Sequence, residues 1–196
     1  MNTQNINIVQ AEQPQLPLSM SPKKFILWLF IVSIVMLFAA WTSAYIVAQA
    51  EGVGVPIELP SLFGYTSILL ILSSISMHLA YRAAKRDQLN LLRIFSTITF
   101  ILGVGFLAGQ LLGFEQLVAS NVYFVGGTAI DSFTFVLPFM HGVHIVAGLV
   151  FLLIVLVQSF RYKVHSKSML SIELCATFWH FLDGLWLYLF LFLTFN

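Results

Sequence analysis

Five long apolar stretches, at about Phe25–Ala48, Ser61–Tyr81, Leu91–Phe114, Thr134–Gln158 and Ile172–Phe195, alternate with short polar connections along this chain. Each runs 21–25 residues. At 1.5 Å of rise per residue that is enough to cross about 30 Å of hydrocarbon as a helix. The pattern predicts an all-α integral membrane bundle of five transmembrane helices in a single domain over residues 25–196, with little chain left for anything else. Ahead of it, residues 1–24 are polar and carry Pro14, Pro17 and Pro22. With no basic region leading into a cleavage site, they are expected to form a flexible arm rather than a signal or transit peptide.

Composition agrees and adds an orientation. Hydrophobic residues make up 59% of the 196 and charged residues 9%, against roughly 25% charged in a soluble domain. A net charge of +1 offers no basic stripe for nucleic acid, and the lone Cys175 cannot belong to a disulfide framework. All nine Lys and Arg fall in three places. Lys23 and Lys24 lie before the first stretch; Arg82, Lys85, Arg86 and Arg93 lie around the second connection; Arg161, Lys163 and Lys167 lie in the fourth. The first and third connections hold Glu51, Glu58, Glu115 and Asp131 instead. Because basic loops stay on the cytoplasmic side, the amino terminus is expected inside and the carboxyl terminus outside.

Lipid tails are as apolar as leucine, so helices in a bilayer associate through close packing and hydrogen bonds. Ala40, Ala44 and Ala48 on the first helix, and Gly105, Gly109 and Gly113 on the third, recur every four residues and so share a face. Both stripes are expected to pack against other helices, within the chain or in another subunit. Gln110 beside the second stripe is expected to hydrogen-bond a neighbour. Pro138 is expected in the first turns of the fourth helix, where its missing N–H costs least. No internal repeat of the kind common in transporters is visible.

Ionisable side chains inside a span are expensive, and they gather in the last two helices. His141 and His144 lie on one side of the fourth; Glu173, His180 and Asp183 form a stripe on the fifth. If these helices are hairpin partners, either histidine of the fourth could reach His180 and Asp183. Three uses compete: haem or metal ligation, a proton or ion pathway, and a buried hydrogen-bond network that fixes helices and contacts lipid. His78, His165 and Cys175 read as an interfacial, a solvated and a packing residue respectively.

The segment Phe178-Trp179-His180-Phe181-Leu182-Asp183-Gly184-Leu185-Trp186 resembles the W-H-F-x-D-x-x-W motif of cytochrome c oxidase subunit III, and His141-Gly142-Val143-His144 resembles that family's H-G-x-H helix. Leu102-Gly103 through Phe106 to Gln110, and Ser33 through Val35-Met36 and Phe38 to Ala44-Tyr45, agree in order and spacing. The resemblance covers about residues 25–196. It implies a subunit without redox chemistry of its own, in a proton-pumping haem-copper terminal oxidase of the aerobic respiratory chain. Haem and copper are then expected in subunits I and II, with no metal and no catalytic residue in this chain. The resemblance implies that it stabilises the complex and supports proton uptake by subunit I. The expected partners are subunits I and II, with a small subunit IV and a respiratory supercomplex as further candidates, in a bacterial inner membrane. His141, His144, Glu173, Trp179, His180, Asp183 and Trp186 inherit packing, hydrogen-bonding and phospholipid contact only.

Two departures matter. Longer family members have two preceding helices that form one wall of a lipid cleft, so a cleft with both walls within residues 25–196 is not expected here. The family's Ser-Glu-Val reads Ser33-Ile34-Val35 here, so no role of that carboxylate transfers. A quinol oxidase subunit III remains the nearest alternative. A stand-alone haem-binding membrane protein and a small transporter are more distant ones.

Overall fold

The computed structural model describes residues 21–52, 59–120, 122–160 and 169–195. Among them lie five α-helices and no strand: α1 (Pro22–Ala50), α2 (Ser61–Lys85), α3 (Leu89–Ala119), α4 (Ala129–Phe160) and α5 (Leu170–Phe195). All five are long and apolar enough to cross a membrane. Residues 1–20 of the expected arm, together with Glu58, Arg161, Lys163, His165 and Lys167, lie outside the described residues.

Every helix outruns the span expected from its apolar residues, because the ends are set by local chemistry rather than by hydropathy. Pro22 opens α1 near its first position, where a preset φ and a missing N–H suit a helix start. Lys23 and Lys24 are therefore helical rather than part of an arm. α2 continues past Tyr81 to Lys85, with Arg82 and Lys85 in its last turn, favourable at the negative end of the helix dipole. It closes with the N–H of Gln88 donating to the Ala83 carbonyl and that of Asp87 to Ala84, while Asp87 adopts φ 52°. That is a Schellman cap on an Asp, a residue that tolerates the left-handed region better than most. The tight turn delivers α3 directly against α2.

α4 starts five residues before the expected Thr134. The Thr128 N–H donates to Asp131 Oδ2 at 2.6 Å, and the Asp131 N–H returns to Thr128 Oγ1 at 3.3 Å, a reciprocal cap of the Ser/Thr-x-x-acid type. Pro138 consequently lies well inside α4, not in its first turns, and leaves the Thr134 carbonyl without its helical donor.

Helices α2 to α5 form a four-helix bundle in which α2 touches α3 and α5, and α4 touches α3 and α5; α1 lies outside, against α4 and α5 alone. Ring and side-chain pairs give the directions. Phe30 meets Phe178 and Tyr45 meets Phe192, so α1 and α5 run parallel. Phe106 meets His141 and Phe114 meets Phe135, so α3 and α4 run antiparallel. The described Lys and Arg thus gather at one end of the bundle, and Glu51, Glu115 and Asp131 at the other. Outward positions such as Ile26, Met36, Ile101, Leu111 and Phe195 are apolar and exposed, a surface that suits lipid rather than water.

The small-residue stripes divide. A Cβ on Gly109 would collide with Thr66, and one on Gly113 would lie 2.9 Å from Phe63 Cζ, so both glycines serve the α2–α3 contact. Gly105 also faces α2, but its nearest neighbour there, Leu69, is 3.9 Å away, so the contact does not require a glycine. Ala40 is exposed and Ala44 half-buried. The face of α1 that packs within the chain is instead Ile31, Ile34, Phe38, Thr42 and Tyr45, because bulky side chains fill the groove between α4 and α5.

Candidate functional site

Trp179 and Trp186 are seven residues apart, two turns on one face of α5, and both are fully buried. Trp179 enters a slot between α3 and α4 that only glycines leave open. A Cβ on Gly103 would lie 2.8 Å from its Cη2, and one on Gly148 3.3 Å from its Cζ3. Its indole N–H donates to Ser73 Oγ on α2 at 2.9 Å. Two turns on, the Trp186 N–H donates to Ser67 Oγ at 2.8 Å, and Ser67 passes its own proton to the Phe63 carbonyl. The Trp186 ring packs 5.0 Å from Phe106 and 5.2 Å from His141. Gln110 closes this layer by donating from Nε2 to Thr66 Oγ1 at 3.2 Å.

His180 turns towards α2 as well, with Nδ1 2.7 Å from Ser74 Oγ and its ring centroid 6.1 Å from that of His78. The same hydroxyl faces Asp183 without reaching hydrogen-bond geometry to either carboxylate oxygen. Asp183 is 5% exposed, so both oxygens are buried without a partner among the described residues. His141 is likewise fully buried with neither ring nitrogen bonded. His144 donates from Nδ1 to the Met140 carbonyl at 2.6 Å, which fixes that nitrogen as the protonated one, and its ring meets Phe38 of α1. Glu173 accepts from Lys24 Nζ at 2.7 Å.

The sequence-predicted residues therefore do not form one cluster. His141 and His144 do not bond the His180–Asp183 stripe. α5 presents that stripe to α2, where hydroxyls are available, and α4 offers its histidines to aromatic rings. The partners that went unrecognised in the sequence are Ser67, Ser73 and Ser74. Their signal was present: hydroxyls six and seven residues apart on α2 mirror the seven-residue spacing of the α5 tryptophans. Chemically, each hydrogen bond described here joins two helices or returns to its own helix, which makes the site a registration device.

Elsewhere, Lys23, Ile26, Leu27, Phe30, Phe151, Leu170, Ser171 and Leu174 line an open groove of about 370 Å³ between α1, α4 and α5, mostly apolar with one basic residue in its lining.

The sequence matches the family described as cytochrome c oxidase subunit III over residues 18–196. It is 30% identical over 184 residues to the cytochrome bo(3) ubiquinol oxidase subunit 3 of Buchnera aphidicola subsp. Acyrthosiphon pisum, covering 91% of this chain and 89% of that one. It is 28% identical to the quinol oxidase subunit 3 of Bacillus spizizenii, covering 83% and 81%. It is 25% identical to the cytochrome c oxidase subunit 3 of Bacillus sp. (strain PS3), covering 83% and 80%. The chain belongs to the cytochrome c oxidase subunit III family.

Proposed function

We propose that this subunit III homologue is a non-redox subunit of a proton-pumping haem-copper terminal oxidase, holding the complex together and sustaining proton uptake by subunit I. One observation carries the reading: the family's α5 face, from Trp179 to Trp186, directs its hydrogen bonds to the serines of α2, as a scaffold would. Redox centres are then the business of subunits I and II. The clustering of the described basic residues at one end supports an inside amino terminus by the positive-inside rule, and a bacterial inner membrane as the location. The groove beside Lys23 suits an anionic phospholipid, its phosphate near the amine and a chain along the apolar wall.

Gentle extraction from the native membrane tests this. Haem-bearing and copper-bearing chains should co-purify with this one, and a deletion strain should assemble an oxidase with intact haem spectra that inactivates faster during turnover. Recovery without a haem-bearing chain, or an unchanged inactivation rate, overturns the reading. Cytochrome c as electron donor is the first reading, and quinol the second, favoured by the higher identity to the ubiquinol oxidase relative. Assaying the purified complex with reduced cytochrome c and with a short-chain ubiquinol separates them.

A further inference from the structure

Ser67 and Ser74 lie two turns apart on one face of α2, yet they use their hydroxyls differently. Ser67 gives its proton to the Phe63 carbonyl of its own helix. Ser74 turns to α5, with Oγ 2.7 Å from His180 Nδ1, and the same hydroxyl faces Asp183. His180 and Asp183 are three residues apart, so they are neighbours on the surface of α5. Asp183 is 5% exposed, and neither of its carboxyl oxygens has a hydrogen-bond partner among the described residues. Ser74 and His180 are half-buried, and the exposed His78 stands beside the His180 ring. The cluster is therefore closed at the carboxyl and accessible at the imidazole.

Other ionisable groups on the helices packed against α5 are engaged elsewhere. On α4, His141 packs against Phe106 and Trp186, and His144 donates to the Met140 carbonyl. On α1, Lys24 pairs with Glu173, and Tyr45 meets Phe133 and Phe192. His180 is thus the base that Ser74 connects to Asp183.

A lone buried carboxylate is costly, and a carboxylate–imidazolium pair offsets that cost only when it is well hydrogen-bonded. A hydroxyl both donates and accepts, so Ser74 can link the two groups in either direction. In one arrangement the Asp183 carboxyl donates to Ser74 Oγ, and Ser74 donates to Nδ1 of a neutral His180. In the other, the Nδ1–H of a cationic His180 donates to Ser74 Oγ, and Ser74 donates to the Asp183 carboxylate. Passing from the first to the second breaks the O–H bond at Asp183 and forms one at Ser74. The former Ser74 proton leaves and forms the N–H bond at His180. Ser74 ends as a hydroxyl, and the net charge of the trio stays zero.

We propose that Asp183, Ser74 and His180 form a proton-binding site, in which one proton is shared between the carboxyl and the imidazole through the Ser74 hydroxyl. The link closes when the carboxyl turns towards the hydroxyl it already faces. The proton then belongs to the pair rather than to either residue.

Infrared spectroscopy of the full chain in detergent at neutral pH tests this. The chain has three aspartates, Asp87, Asp131 and Asp183, so a heavy-isotope label on aspartate carboxyls isolates a small set of bands. A protonated-carboxyl band that moves to lower frequency in heavy water and is lost in Asp183→Asn belongs to Asp183. That band should be weaker in wild type than in Ser74→Ala, where the proton has no route to the imidazole and stays on the carboxyl. His180→Gln, which removes the base and keeps a polar side chain, should strengthen it likewise. Ser74→Thr, which keeps the hydroxyl, should leave it at the wild-type intensity. Absence of the band from wild type and every variant overturns the proposal. So does a band of equal intensity in wild type, Ser74→Ala and His180→Gln, because a purely structural hydrogen bond would change its frequency alone. The site lies within this one chain, so these outcomes are independent of whether a haem-bearing subunit co-purifies.

Discussion

α5 meets α2 through three interhelical side-chain bonds, Trp179 to Ser73, Trp186 to Ser67 and His180 with Ser74, behind an indole slotted between glycines. α1 meets α4 and α5 mainly through apolar side chains and ring edges, Phe30 on Phe178, Phe38 on His144, Tyr45 on Phe133 and Phe192. Its polar ties are two: Lys24 to Glu173 at the start of both helices, and a long 3.3 Å bond from the Tyr188 hydroxyl to Thr42, about two turns inside the far end of α1. In water, burial of apolar side chains would hold both seams. In a bilayer, apolar contact merely replaces lipid contact, and packing and hydrogen bonds decide. The α2–α5 seam therefore fixes register, and the α1 seam accommodates change.

The largest test of that contrast is a carboxylate at Ile34, where the family pattern carries Glu. Ile34 is 2% exposed on the buried face of α1. A charged side chain at mid-span costs about 2.5–3.5 kcal/mol, so Ile34→Glu should lower resistance to denaturing detergent by that order and release α1 first. A neutral outcome would mean that the α1 seam contains a polar partner for the carboxylate, and the contrast between seams would collapse.

A somewhat smaller effect is expected at Gly103. The Cβ of Gly103→Ala would lie 2.8 Å from Trp179 and 2.9 Å from Leu149, and neither a buried indole nor its helix yields cheaply. Overpacking of this kind costs about 1–3 kcal/mol. Gly105→Ala, whose nearest neighbour is 3.9 Å away, should be neutral or stabilising, because alanine favours helix. Equal losses from the two substitutions, measured as the midpoint of detergent unfolding, would remove the slot from the explanation.

Much of this fold was legible from the sequence. Twenty-odd apolar residues can do little else in lipid, so the number and type of elements followed from run length. Boundaries did not, because hydropathy is blind to caps: Thr128 with Asp131, and Asp87 in its left-handed turn, extend helices into polar sequence. The site was half legible. Asp183 and the histidines stood out as ionisable groups inside spans, but their partners did not. A serine in an apolar helix carries no penalty that marks it, and only the matched spacing with Trp179 and Trp186 reveals Ser67 and Ser73. Which way a stripe faces depends on the rotation of α5 against two neighbours, and a single helix pattern does not contain that.

A hydrogen-bond cycle within the α2–α5 seam should give the next effect. Trp186→Phe removes the indole N–H and leaves most of the ring packing, and Ser67→Ala removes its acceptor. Interhelical bonds in membranes average about 0.6 kcal/mol and reach about 1.7, so each single substitution should cost on that scale. The double variant should cost little more than the greater single loss, because both delete the same bond. Full additivity in the detergent-unfolding free energies would show that the two side chains act independently.

The smallest effect is expected where α1 is tied at its end. Lys24 and Glu173 are 35% and 38% exposed, and an ion pair so accessible to water contributes about 0–1 kcal/mol. Lys24→Met should therefore shift the unfolding midpoint only slightly, and raising the ionic strength should erase most of the difference from wild type, since exposed pairs are screened. Glu173→Gln should behave alike, because either change removes the same attraction. A loss well above 1 kcal/mol that persists in high salt would give α1 an anchor comparable to the indole bonds of α5. The two seams would then differ in position rather than in kind.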